Sequence, residues 1–380
     1  MKILLLFDYP PPPGGLATQG DLLLRGLREA GVDVRAAHLE SSLEKAWNYA
    51  WFKPDAVVGI GYWGMTPHLV LHAQEHGVLP IPWLVADGYV VNYRETLSEL
   101  PLILVTSLWV KEVYERDGIS GRNIEVLPVG CDTDTFKPYP RSDPRVQAAR
   151  RALGVSEDQL LILTVGGDAA SKGGREVLEA LASLGNRVSD WRYVCKVWRQ
   201  ARTEKQNALD LELAQTLGIA SQVSFCDSRI SREFMPFLLS ACDIYAAPSR
   251  LEGFGMAQVE ANACGKPVLG IAAMAMLETL VPGVTGLLAG VAQENWAAEA
   301  VVGPEAGFPD GHRITFANPR IVDYRASVPE LATHLHLLMN DRNLRERLGE
   351  AGRKRVSELY DYRIVARRFV EVVQSKLNLS

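Results

Sequence analysis

Cysteine is scarce and shows no pairing pattern. The 380 residues hold five, at 131, 195, 226, 242 and 264, with no Cys-x-x-Cys spacing and an odd total. That argues against a disulfide framework or a zinc ribbon and fits a reducing compartment. Basic charge is not in excess. Lys and Arg number 40 against 45 Asp and Glu, a formal net charge of −5, so the footprint of a dedicated nucleic-acid binder is missing. No apolar run reaches the roughly 18 residues of a membrane-spanning helix. The N-terminal run of MKILLLFDYP stops at Asp8, too short for a secretory leader. There is no tandem repeat and no low-complexity tract. These absences leave a cytoplasmic globular chain, 47% hydrophobic and 22% charged, long enough for two domains with separate cores.

What is present is an alternation. Lys2–Phe7 is a continuous apolar run, the signature of a strand buried on both faces. Thr18–Ala30 follows with Leu22, Leu23, Leu24 and Leu27 at helical spacing, closed by Gly31. Val32–Ala36, Ala56–Ile60, Ile81–Ala86 and Leu102–Thr106 repeat the strand pattern. A second series runs through Leu160–Val165, Arg192–Val197, Val223–Phe225, Ile244–Ala246 and Pro267–Leu269. Strand alternating with helix implies parallel sheets covered on both faces. The expected organisation is an α/β chain with an N-terminal domain over 1–137, a Pro-rich linker over 138–157, a C-terminal domain over 158–360, and a last helix over 361–380 returning to the first domain. Residues 289–326, with scattered Gly and Pro, read as a long irregular loop. Doubly wound sheets bind ligands beyond the carboxyl ends of their strands, so functional residues are expected just after strands.

One such stretch is a decoy. Gly59-Ile-Gly61-Tyr-Trp-Gly64 matches the dinucleotide fingerprint. It lies outside the first βα unit, and Tyr62 and Trp63 stand where backbone must approach a pyrophosphate. A NAD(P)-dependent oxidoreductase using this loop is kept as an alternative. His68, His72 and His76 share one helix face, but no further ligand joins them, and they read as surface histidines with no metal.

The densest chemistry lies in Pro248-Ser-Arg-Leu-Glu-Gly-Phe-Gly-Met-Ala-Gln-Val-Glu260. Gly253 and Gly255 allow close backbone approach. A helix from Met256 to Ala263 offers free amides to an anion at its start. Glu252 and Glu260 flank that start, which suits a ligand with phosphates in the middle and hydroxyls at both ends, a nucleotide sugar. A second glycine-rich loop, Gly166-Gly-Asp-Ala-Ala-Ser-Lys-Gly-Gly174, puts Lys172 at another helix start as a point charge for a diphosphate. A third, Pro13-Gly14-Gly15, follows the first strand of the other domain.

Together these residues resemble glycosyltransferase family 4, the retaining nucleotide-sugar enzymes of GT-B fold. The likeness runs through Gly14-Gly15, Val129-Gly-Cys-Asp-Thr-Asp-Thr-Phe-Lys-Pro138, Lys172-Gly173, Asp243 through Pro248-Ser249 to the E-x7-E pair Glu252…Glu260, then Gly265-Lys-Pro-Val268, Glu278 and Thr285-Gly-Leu-Leu288. The resemblance implies two Rossmann-like doubly wound domains facing a crevice. It implies a hexose moved from a nucleotide sugar, UDP- ahead of GDP-, with Glu252 on the sugar hydroxyls and Glu260 on the ribose. Lys172 and the amides of Phe254, Gly255 and Met256 would hold the leaving diphosphate, with Gly15 approaching it. Where the family has an arginine this chain has Gly166-Gly167-Asp168, so Lys196 or Arg199 would supply the charge. Where the family has a histidine after the fourth strand this chain has Asp87. That residue would hold a donor hydroxyl, take the acceptor proton, or serve only as a turn residue. The nucleotide sugar is a co-substrate, and neither a further cofactor nor a metal is expected. The acceptor is a small molecule, a glycan or a lipid-linked group, with peripheral membrane contact open. The cluster Trp47, Tyr49, Trp51 and Phe52 reads as core, with stacking on sugars or contact with a lipid as the alternative. The arginines of 342–355 read as a solvated helix face. A GT-B relative that binds sugar nucleotides without turnover is the third alternative.

Overall fold

The computed structural model describes residues 1–379 except 87, 189 and 200, with side chains also left aside at 186 and 201–203. The chain divides into two compact units. The first comprises Met1–Asp132, Trp296–Val322 and Leu359–Ser380; the second comprises Thr133–Asn295 and Asp323–Glu358.

The first unit is built on β1 (Lys2–Phe7), β2 (Asp33–His38), β3 (Ala56–Tyr62), β4 (Leu79–Val85), β5 (Ile103–Val105) and β6 (Ile124–Val126). They form one six-stranded sheet in the order β2-β1-β3-β4-β5-β6, parallel throughout. β1 through β5 are the apolar runs of the sequence; Ile3 to Phe7 are fully buried. The order reverses between β1 and β3, the switch point where such sheets place ligands. The Gly15–Glu29 helix buries Leu22, Leu23, Leu24 and Leu27. The Tyr362–Leu377 helix lies against it, so close that a Cβ on Gly26 would sit 2.6 Å from that of Ala366. Tyr362 Oη donates to Glu29 at 2.6 Å.

The second unit carries β7 (Leu160–Val165), β8 (Trp191–Lys196), β9 (Val223–Cys226), β10 (Ile244–Ala246), β11 (Val268–Ile271) and β12 (Gly286–Ala289). Their order is β12-β11-β10-β7-β8-β9, again parallel, with its switch point between β7 and β10. Asp243 fixes that junction, accepting from Leu161 N at 2.8 Å and from the buried Arg150 at 3.2 Å. Arg150 belongs to a Pro144–Ala152 helix. The stretch read as a linker is therefore partly helical and part of this unit.

Residues 289–326 are not an irregular loop. They hold β13 (Val291–Val302) and β14 (His312–Ala326), paired as a two-stranded ribbon. A lone ribbon is marginal in water, and this one is held by packing within the first unit. Val302 and Ala306 join that unit's core. Asn92 donates to Ala306 O at 2.9 Å, Arg320 pairs with buried Asp117 at 2.7 Å, and Tyr89 packs on Phe316 with 5.2 Å between ring centres. Among the described residues no helix is long and apolar enough to cross a membrane.

Candidate functional site

The residues singled out after β7 and β10 converge at the second sheet's switch point. The glycine-rich loop closes in a 3-10 turn, Ala170–Lys172, whose Ser171 N–H is capped by Asp168 at 2.6 Å. Gly173 has φ +77°, and a side chain there would collide with the carbonyl of Pro248; only glycine lets the two loops lie so close. Arg250 N donates to Ser171 O at 2.9 Å and ties them together. The result brings Lys172 Nζ 2.6 Å from Glu252 Oε2. The other oxygen of Glu252 accepts from Gly255 N at 3.1 Å. The Gly255 amide, expected on a diphosphate, is therefore directed to Glu252.

The helix begins at Met256 and ends at Ala263, as its sequence implies. Gly255, at φ +91°, turns the chain into it. Val259 N is the first to bond back, to Gly255 O at 3.0 Å. The N–H groups of Met256 and Ala257 thus lie at the helix start, where geometry gives them no intrahelical acceptor. Phe254 is buried and Gly253 partly so. Gln258, fully inside, donates to buried Ser249 at 3.0 Å and keys the helix to the strand end. Glu260 is also buried, and its Oε1 lies 2.6 Å from Arg232 on the loop after β9. The guanidinium of Arg232 stacks over Phe136, 4.5 Å from the ring centre.

The substitute cations proposed for the glycine-rich loop are placed otherwise. Lys196 is buried with its ammonium on Val197 O at 2.7 Å, and burial pushes its pKa below the ordinary lysine value. Strand alternation did not betray this, because β8 is inward-facing on both sides over most of its length. Arg199 is exposed, 3.7 Å from both Glu204 and Asp227. Gly15 opens the helix after β1 in the first unit and is exposed. Asp87 lies outside the described residues.

A cluster that the sequence did not announce supports the Glu252 loop. Glu176, in the first turn of the Gly174–Leu184 helix, receives Arg250 at 2.9 and 3.2 Å and Arg325 at 3.1 Å. Arg250 O accepts from Tyr324 N at 2.8 Å. The loop two residues before Glu252 is thus gripped by side chain and backbone.

Other sequence features have structural explanations. In Gly59-x-Gly61-x-x-Gly64 the space of each missing side chain is taken: by Leu69 at Gly59, by Met65 and Leu69 at Gly61, and by the Tyr62 ring and Glu305 O at Gly64. The loop packs its own chain, with no backbone laid open to a pyrophosphate. His72 and His76 stack at 4.6 Å, and burial lowers the His72 pKa. No group of three or more potential metal ligands occurs among the described residues. Of the aromatic cluster, Tyr49 and Phe52 are core, whereas Trp47 and Trp51 are exposed, stacked on each other at 5.2 Å beneath Arg35. Nor are the C-terminal arginines simply solvated: Arg353 donates to Phe136 O and Thr133 O, and Arg355 to Glu278 O.

Comparison with known proteins accords with this geometry. Residues 146–301 match the family model described as glycosyl transferases group 1, a range that includes Lys172, Glu252 and Glu260. A D-inositol 3-phosphate glycosyltransferase of Geodermatophilus obscurus is 32% identical over 204 residues, 52% of this chain and 44% of that protein; the chain thus spans less than half the length of that relative. Among solved structures, sucrose-phosphate synthase from Thermosynechococcus elongatus superposes with a TM-score of 0.75 at 19% identity, covering 100% of both chains. Anabaena HepE in complex with UDP and glucose gives 0.73 at 16% identity, over 99% of this chain and 100% of that one. Likenesses at these identities speak for the fold alone: the chain has the GT-B fold, two Rossmann-like doubly wound parallel sheets.

Proposed function

We propose that the protein is a retaining glycosyltransferase that moves a hexosyl group from a nucleotide sugar, UDP- ahead of GDP-, to a hydroxyl acceptor. One observation carries the reading: Lys172 meets Glu252 at 2.6 Å beside the start of the helix that bears Glu260. The arrangement supports a division of labour. The diphosphate lies at the helix start, with the Met256 and Ala257 amides and Lys172 around it. Glu260 takes the ribose hydroxyls and Glu252 the sugar. As the bond from the anomeric carbon to the phosphate oxygen breaks, negative charge grows on the leaving diphosphate, and a fixed cation there stabilises the transition state. The acceptor oxygen forms the new bond to that carbon and loses its proton; Asp87 is proposed as its recipient. The UDP and glucose of the HepE complex favour a UDP-hexose, and the name of the G. obscurus relative puts a phosphorylated polyol among the acceptors to try.

The test is a donor panel with mass detection of released sugar, run beside thermal shift with UDP, GDP and NAD. UDP or GDP should raise the melting temperature, and the cognate donor should release its hexose with retained anomeric configuration by proton NMR. Stabilisation by NAD alone, or release of the inverted anomer, would refute the proposal.

A further inference from the structure

We propose that Trp198 is the platform on which the donor's nucleobase stacks. The inference rests on the nucleotide-sugar reading and assigns it a residue. Lys196 and Arg199 were the side chains expected to face the donor after β8, yet the first is buried and the second is occupied with acidic neighbours. Between them stands an indole that is 48% exposed. Exposing so much of a tryptophan beside a glycine-rich loop forgoes hydrophobic stabilisation, and a flat partner would recover it.

The indole is held by a rigid mount. Val197 is buried, and its N–H donates to Cys226 O at 2.9 Å. The Lys196 ammonium closes on Val197 O. Trp198 N donates to Gly167 O at 3.0 Å, and the ring lies 3.7–3.9 Å from where a Gly167 Cβ would be. Part of the indole thus lies on glycine backbone, and the rest is presented to solvent with little freedom left to lose on binding.

Its place in the sheet matches the order of groups along a nucleotide. β7 and β10 border the switch point and supply Lys172 and Glu252. The loop after β9 reaches Glu260 through Arg232. β8 lies next to β7 on the side away from β10, and its loop is tied to the diphosphate loop by the bond from Trp198 N to Gly167 O. A nucleoside diphosphate with its phosphates at Lys172 and its ribose at Glu260 has only its base left to place, and a base needs a π-face. Stacking on an aromatic side chain tolerates any base, so Trp198 supplies affinity, and the choice among bases lies with other groups.

The experiment is calorimetry on the full chain and its Trp198→Ala and Trp198→Phe variants, with UDP, UDP-glucose and inorganic pyrophosphate as probes. Trp198→Ala should weaken UDP and UDP-glucose alike by about ten-fold or more, the range of lost base stacking. Trp198→Phe should stay within about three-fold, and pyrophosphate should bind all three proteins equally. UDP should also quench indole emission in the parent more than in Trp198→Phe. Parent-like UDP binding by Trp198→Ala overturns the proposal. An equal loss for pyrophosphate overturns it in favour of a role in holding the glycine loop, and a loss confined to UDP-glucose in favour of a sugar platform. If the parent binds neither UDP nor GDP, the donor reading itself fails, an outcome distinct from the others.

Discussion

Glu176→Gln tests whether the clasp behind Glu252 matters. The carboxylate side chain is only 8% exposed and Arg250 only 12%, so water screens their attraction weakly. At an effective dielectric near 20, unit charges about 3 Å apart attract by about 5 kcal/mol, most of which offsets desolvation already incurred. Arg325, 31% exposed, contributes less. Glutamine keeps the shape but turns an amide donor toward one of two guanidinium groups and removes the counter-ion of Arg250, while Arg325 keeps Asp323 at 3.0 Å. Breaking a buried pair from one side costs about 3–5 kcal/mol. Taking the lower end for a partly solvated trio, a unit of about 200 residues should melt about 6–12 °C lower. The assay is thermal denaturation followed by circular dichroism, with the double variant Arg250→Met/Glu176→Met alongside. Removing both charges should recover most of the loss. If Glu176→Gln melts within about 1 °C of the parent, or the double variant melts lower than the single one, the clasp does not work as argued.

Other expectations follow from the same geometry. Lys172→Ala should lower sugar release by on the order of ten- to a thousand-fold, as loss of other preorganised charge partners does; unchanged steady-state kinetics would remove it from the reaction. Glu260→Ala should weaken binding of bare UDP, while Glu252→Ala should leave that binding nearly intact and depress turnover. Calorimetry showing equal UDP losses in both would contradict the division of labour. Gly64→Val puts a branched side chain 2.5 Å from the Tyr62 ring and 3.0 Å from Glu305 O. It should loosen the ribbon at a cost of about 1–3 kcal/mol, and limited proteolysis should then cut within 303–312. A cleavage pattern like the parent's would show that the ribbon does not depend on that contact.

The strands that carry the site were legible because each is a short apolar run buried on both faces, and the Met256–Ala263 helix because glycines bound it. β6 has a glutamate at its centre and β12 opens on a glycine, and both are only partly buried, so neither stood out as a buried apolar run. The ribbon was hidden for a different reason. β13 exposes most of its residues and is rich in alanine, so it shows neither a buried run nor clean alternation; its stability comes from distant partners such as Asn92 and Asp117. Distance in sequence also hid the clasp, since Glu176 lies 74 residues from Arg250 and 149 from Arg325. Lys172 and Glu252 were readable from the loops that hold them, but nothing local marks Arg232 as the partner of Glu260.

That last pairing answers the question left by the missing arginine. Two uncompensated carboxylates would repel an anion at close range. Here each carboxylate has its own cation: Lys172 on Glu252 at 2.6 Å and Arg232 on Glu260 at 2.6 Å. With those charges balanced, the partial positive charge of the helix start at Met256 is left to favour an anion. The glycine-rich loop can therefore carry Gly166-Gly167-Asp168 where an arginine would stand. Asp168 is turned onto its own Ser171 N–H, and the balancing cation for Glu260 arrives from the loop after β9. Arg232 also rests on Phe136, which helps to fix the guanidinium. The electrostatics of the site thus depend on charge placement, with one cation supplied by the glycine-rich loop and the other by the loop after β9.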